Sequence, residues 1–301
     1  MSTADVASQA SPPGQAVRGG VWLAAVRHWL RLLRSELGLV FGRKRNLALL
    51  AVLAAVPVLL GIVLKVSPLQ PGNGGGNGGP AFLTQVTGNG VFLAFLTLVV
   101  ESALALPLAV AVVSGDAIAG EANRGTLRYL LTVPAGRTRL LGIKFTATVV
   151  FCVAACLLVS AVAVALGAIL FPVGPVTLLS GTAVPLAMGL LRLLLVALYL
   201  AAAMAALGSI GLAISTFTEH PLGAVAAILV ITIASDVADT VSQLGAVHPY
   251  LPTHWWLSFD GLLRSPIAWP DLLHGLLSFG VYVVIFGSIA WARFTTADVT
   301  S

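Results

Sequence analysis

Charge is what this chain has least of. Of 301 residues, 16 are Lys or Arg and 11 are Asp or Glu, 9% together, where soluble domains carry about 25%. With a mean hydropathy of +1.00, most of the surface must face lipid, and a soluble globular protein is excluded. Cysteine is scarcer still. Cys152 and Cys156 stand four apart in an apolar run with no His or carboxylate near them in sequence. They read as small packing residues on one helical face rather than a metal or redox pair. Catalytic signatures are missing too. There is no H-E-x-x-H for zinc proteolysis, and Gly208-Ser209-Ile210-Gly211 is not a serine-protease pattern. All five His fall at span ends or in loops. A phosphate-binding loop needs G-x-x-x-x-G-K-[ST]. Lys44, Lys65 and Lys144 occur as RKR, LKV and IKF, none behind a glycine. Residues 1–20 lack an apolar secretory core and read as a disordered tail, which leaves insertion to the first span.

What is present is a series of long apolar runs. A helix needs about 20 apolar residues to cross the hydrocarbon core, and no short alternating segments point to a β-barrel. Six spans are expected, at about 46–65, 89–113, 143–170, 185–215, 222–235 and 272–293, within one domain covering 21–301. The fold class is an all-α polytopic membrane protein. Ahead of the spans, residues 21–42 form an amphipathic helix. Trp22, Val26, Trp29, Leu33, Leu37 and Val40 share one face, and Arg27, Arg31 and Arg34 another. Such a helix lies in the membrane interface. The run GNGGGNGG at 72–79 is a flexible linker. Residues 236–271, with Trp255, Trp256, Trp269 and several prolines, read as short helices dipping into the outer interface before span six.

Basic residues set the expected orientation. Arg18, Arg27, Arg31, Arg34, Arg43, Lys44 and Arg45 precede span one, and five more lie between spans two and three. The loops after spans one, three and five hold only Lys65 and Arg264. Both termini and the segment between spans two and three are therefore expected in the cytoplasm. High Ala, Val, Leu and Gly content suggests a GC-rich bacterial genome, so a bacterial plasma membrane is expected, with no nucleic acid partner.

The segment Ser114 to Lys144 is a polar island between greasy runs. Asp116, Glu121, Arg124, Arg128, Arg137, Arg139 and Lys144 make it seven of the 27 charged residues. Acid near a helix start, the Gly125-Thr126 interruption, a Leu127, Leu130 and Leu131 face, and the stop at Pro134 describe a helix–turn–helix elbow. A purely topogenic loop is the plainer alternative.

The run D-x-I-A-x-E-x-x-x-G-T-L-R-x-L-L-x-x-P-x-x-R from Asp116 to Arg137, with Lys144 beyond it, resembles the coupling-helix segment of ABC-2 type ABC-transporter permeases. The resemblance extends over nearly the whole chain: interfacial helix, six spans, elbow after span two and broken external segment before span six. It implies that the elbow docks into a cleft on a separate cytoplasmic ATP-binding subunit. Glu121 matches the acidic position, Gly125 and Thr126 the turn, and Pro134 and Arg137 the closing Pro-x-x-Arg; Asp116 and Arg124 belong to the same surface. It implies further that ATP and magnesium are bound by that partner and no cofactor by this chain. A second permease copy or paralogue completes the translocation unit, and transport is mostly outward. On the residues alone, a secondary transporter driven by an ion gradient is the alternative; an intramembrane enzyme lacks its residues.

Two charges fall inside spans. Glu101 and Arg192 lie about 12 and about 7 residues from the external side, a depth difference of roughly 8 Å. Ionisable groups at such depth are costly and are paired or functional. These two are expected either to pair, fixing span two against span four, or to line the substrate path. His248, His254 and Asp260 offer only a weak metal constellation, and no metal site is expected. Glu219-His220-Pro221 reads as a solvated turn or a second, minor contact with the ATPase.

Overall fold

The computed structural model describes residues 16–66, 89–123, 125 and 136–296, with side chains from residue 27 onward apart from residue 28. Helix α1 (Ala16–Gly42) begins five residues earlier than the amphipathic pattern indicated and turns at Arg43 into α2 (Lys44–Val66). Trp29, Leu33, Leu37 and Val40 are half-buried, whereas Arg27, Arg31 and Arg34 are exposed. The apolar face packs on α5 (Arg137–Leu170). Trp22 and Val26 lie outside the described side chains, and the 72–79 linker lies outside the described residues.

Span two is broken. Helix α3 (Val91–Ala103) stops at Leu104, whose φ/ψ of −147°/−47° is not helical, and α4 (Ala105–Asn123) resumes at once. Pro107 accounts for the break. Its ring would clash with the carbonyl four residues back and it has no N–H to give, so it is best accommodated in a helix's first turn. The ladder restarts with Leu108 N–H on Leu104 O. The span also runs ten residues past the expected end at 113, to Asn123.

Helices α5, α6 (Leu186–Ser215), α7 (Pro221–Thr240) and α8 (Trp269–Thr296) complete the bundle. Six helices among the described residues, α2 and α4 to α8, are long and apolar enough to cross a membrane. Helix α5, at 34 residues, is about 50 Å long and outruns a hydrocarbon core of about 30 Å. Helices α4 and α6 are the most enclosed, and α6 packs against α3, α4, α5, α7 and α8. Close approach at the centre depends on missing side chains: a Cβ on Gly208 would lie 2.8 Å from Thr148 Cγ2, and one on Gly211 2.0 Å from Ser114 Oγ.

One end of the bundle carries α1, the last turn of α4 and the first turn of α5; it is called here the basic end. The other is closed by a small hairpin absent from the sequence reading, β1 (Val176–Thr177) paired antiparallel with β2 (Ala183–Val184). Gly181, at φ +80°, makes its turn. Three 3₁₀ turns, Ser242–Leu244, His248–Tyr250 and Ser258–Leu263, precede α8, and the last of them bonds the hairpin. Phe259, Leu262 and Leu263 of the last turn, with Trp256 just before it, are buried; 3₁₀ turns stand where short helices were expected before span six. Leu179 N–H bonds Leu263 O, and Tyr199 OH bonds Trp255 O at 2.8 Å.

Candidate functional site

At the basic end, a set of buried ions fastens four helices. Arg43 occupies the turn between α1 and α2, which Asn46 stabilises by donating to Val40 O at 2.8 Å. That turn aims Arg43 at Asp116 of α4, and Arg45 joins it at 3.0 Å. One turn and a half further along α4, Glu121 receives Lys144 of α5 at 2.5 Å, and the same ammonium reaches Glu36 of α1 at 3.1 Å. Lys144 and Asp116 are almost wholly enclosed, with side chains 1% and 5% exposed. Desolvating such ions costs several kcal/mol each unless partners restore the lost hydration. Each cation here has a carboxylate, and Lys144 has two. A cleft of about 20 Å³ remains among Glu36, Arg43, Asp116 and Lys144, room for about one water.

A second fastening joins α4 to α6. The Ser215 hydroxyl donates to Gly115 O at 2.8 Å and accepts the amides of Ile118 and Ala119 at 3.1 and 2.8 Å. One side chain at the end of α6 thus reads three backbone groups of α4. The contact requires close approach, and Gly211 provides it, facing Ser114; Gly115 gives the same closeness to Ala224 and Val225 of α7. Gly120 has a local role: a Cβ there would stand 2.2 Å from Asp116 Oδ1, so the absent side chain leaves the carboxylate its place.

A third joins α5 to α8. Arg137, in the first turn of α5, donates to Thr295 O at 3.0 Å and Phe294 O at 3.4 Å. Those carbonyls end α8, where a cation also meets the negative end of the helix dipole. Trp291 Nε1 donates to Thr138 Oγ1 at 3.0 Å alongside.

These contacts revise the reading of the polar island. It is not one projecting loop. Asp116 and Glu121 belong to the buried end of α4, and Lys144 and Arg137 to α5, so the connection narrows to 124–136. Glu121 does not sit on an exposed rim; its carboxylate is committed to Lys144 inside the bundle. The reason is energetic: polar side chains at the ends of two adjacent spans neutralise each other more cheaply than each alone reaches water. Gly125 is described, exposed and at φ +68°, a conformation glycine adopts without penalty. Arg124, Thr126, Arg128 and Pro134, and with them the leucine face of the elbow, lie outside the described residues.

The pair expected of Glu101 and Arg192 is not made within the chain. Arg192 Nη1 donates to Leu262 O and Arg264 O at 2.6 and 2.7 Å, tying α6 to the last 3₁₀ turn. Glu101 is fully enclosed, and neither carboxylate oxygen has a hydrogen-bond partner among the described residues. Register explains the separation. Gly90 of α3 packs on Gly167 of α5, and the two helices run antiparallel, which brings Glu101 level with Cys156, deeper than the 3₁₀ turns that Arg192 reaches. Cys152 and Cys156 are buried thiols in the core, as packing residues. His254 pairs with Asp239 at 2.6 Å, and Asp260 with Arg264 instead. Among the described residues no group of three or more potential metal ligands forms. Glu219 and His220 are exposed, in a turn ended by Pro221 at the first position of α7.

Arg43, Glu36 and Ser215 are site residues that sequence reasoning missed. The Arg43-Lys44-Arg45 run was legible only as a topogenic border. Glu36 is the acid on an otherwise basic helix, a signal that went unused. Ser215 sits in an ordinary apolar run and gave no sign.

Six long apolar helices, a broken second span and a buried ionic clamp at one end define a multi-pass membrane protein. The sequence profile described as ABC-2 family transporter protein matches residues 100–251, half of the chain, and the chain belongs to that family. No curated protein matches it. The matched stretch runs from the last turn of α3 through α7, so it contains the span break, the ionic residues of α4 and α5, and Ser215.

Proposed function

We propose that this protein is the membrane subunit of an ATP-driven exporter, worked by a separate cytoplasmic ATPase that docks on the 124–136 connection. The supporting observation is that the two helices joined by that connection are clamped to their neighbours at its base. Lys144 locks α4 to α5 and α1, Ser215 locks α4 to α6, and Arg137 locks α5 to α8. A rigid-body displacement delivered to the connection would therefore reach most of the bundle instead of being absorbed locally.

The basic end faces the cytoplasm on this reading, since Arg and Lys concentrate there, and both termini lie on that side of a bacterial plasma membrane. ATP and magnesium belong to the partner, and two copies or paralogues make the translocation unit. Asp116, Glu121 and Arg137 act as the base that holds the docking surface; Arg124, Gly125, Thr126 and Pro134 shape the surface itself. The test is co-purification of the tagged permease with candidate ATP-binding subunits, followed by ATPase assay. Replacing 124–136 with a Gly/Ser linker of equal length should abolish both association and stimulation. Unchanged association would overturn the docking site.

A further inference from the structure

The hairpin end contains a cavity that the coupling machinery does not use. It measures about 240 Å³ and lies between the last turn of α3, the outer half of α7 and the turns around Trp256. Ser102 and Ala103 open it directly beside the span break at Leu104.

Its lining has one sign of charge. Asp236 and Asp239 of α7 line it, and no lysine or arginine does. Asp239 is engaged with His254 at 2.6 Å. Even with that imidazole protonated the pair is neutral, and Asp236 leaves the cavity negative. Asp236 makes no hydrogen bond or ion pair to a described residue.

Two of its buried polar side chains can offer only acceptors. Ser102 and Thr232 are both more than nine-tenths buried. Their hydroxyl protons are spent on Val99 O at 2.7 Å and Ile228 O at 2.9 Å, within their own helices. What each can still offer the cavity is lone pairs. Apolar wall is supplied by Val99, Ile233, Leu257 and the buried indole of Trp256. Negative charge, unused acceptors and an aromatic face together fit a positively charged, donor-bearing head on an apolar body. A carboxylate or phosphate head would meet repulsion and find few donors.

We infer that this cavity binds an amphiphilic organic ammonium, with Asp236 as the counter-ion, Ser102 and Thr232 as acceptors, and Trp256 against the apolar body. That the cation is also transported rests on the permease reading above; that it binds does not.

Binding to the purified full chain, without any ATPase, tests this. The probes are 2-(1-naphthyl)ethylammonium, the neutral 2-(1-naphthyl)ethanol and the anionic 1-naphthylacetate, followed by equilibrium dialysis. The ammonium should bind severalfold tighter than the alcohol, and the acetate weakest, because Asp236 is exposed and a solvent-screened ion pair is worth less than an enclosed one. Asp236→Asn should erase the preference for ammonium while leaving alcohol binding in place, which also shows that the variant is folded. Thr232→Val should weaken the ammonium severalfold. Equal binding of all three probes, or an Asp236→Asn variant that still selects the ammonium, would overturn the inference. Failure of ATPase co-purification with the ammonium preference intact would count against the permease reading alone.

Discussion

Lys144 of α5 meets Glu121 of α4 at 2.5 Å inside the bundle, across the connection between them, and reaches Glu36 of α1 from the same ammonium. The contact makes the end of a cytoplasm-seeking segment part of the core. Removing Lys144 would take from Glu121 and Glu36 the cation they share, at a nearly fully buried site. Breaking a buried pair from one side costs about 3–5 kcal/mol. Lys144→Met should therefore lower the midpoint of thermal unfolding in detergent by many degrees. Lys144→Met combined with Glu121→Gln should recover part of the loss, because the charge on Glu121 that Lys144 offset is then gone too, while Glu36 still lacks the ammonium. A double variant no better than the single would place the stability elsewhere.

The Ser215 hydroxyl serves one carbonyl and two amides of α4. Ser215→Ala leaves these groups to compete for helix partners only, at a cost of about 1–3 kcal/mol. Gly211→Ala should be worse than an ordinary glycine change, since its Cβ would stand 2.0 Å from Ser114 Oγ. Gly280→Ala meets nothing within 4 Å on α8 and should be neutral or stabilising. The order of unfolding midpoints, Gly280→Ala above Ser215→Ala and Gly211→Ala, checks the packing at the α4–α6 contact.

Glu101 and Arg192 make separate commitments, and exchange experiments should show it. Glu101→Arg with Arg192→Glu should not rescue either single reversal. Arg192→Lys should loosen the final 3₁₀ turn, because an ammonium cannot reproduce the planar reach to Leu262 O and Arg264 O. Faster amide hydrogen exchange over 258–265, with the basic end unchanged, is the expected signature. Rescue by the swapped pair would restore the ion-pair account.

The two cysteines are enclosed and unpaired, which makes thiol labelling a clean probe of orientation. A membrane-impermeant maleimide should leave Cys152 and Cys156 unmodified in intact cells. Thr182→Cys, at the exposed hairpin turn, should label from outside, and Gly136→Cys only after permeabilisation. The reverse pattern would invert the topology.

The sequence made the helices, their number and the amphipathic entry helix legible because long apolar runs and arginine spacing are strong local signals. It also marked the α4–α5 segment as special. It did not reveal that Asp116, Glu121 and Lys144 turn inward, because the same residues in an exposed loop would spell an identical string. Pairing with Arg43 and Glu36 joins positions about a hundred residues apart in some cases and under ten in none. The break at Leu104 was in principle readable from Pro107, but the apolar residues on both sides of it, from Ala103 to Val113, read as one continuous span. Ser215 and the hairpin at 176–184 depend on tertiary approach, which no local pattern encodes.

The central claim is that work enters through the 124–136 connection. Photo-cross-linking tests it most directly, with a benzophenone amino acid at Gly136 and, as control, at Thr182, in membranes containing the candidate ATP-binding subunit. The account predicts a covalent adduct with that subunit from position 136 and none from 182. An adduct from 182 alone, or none from 136 while the two proteins still co-purify, would contradict it.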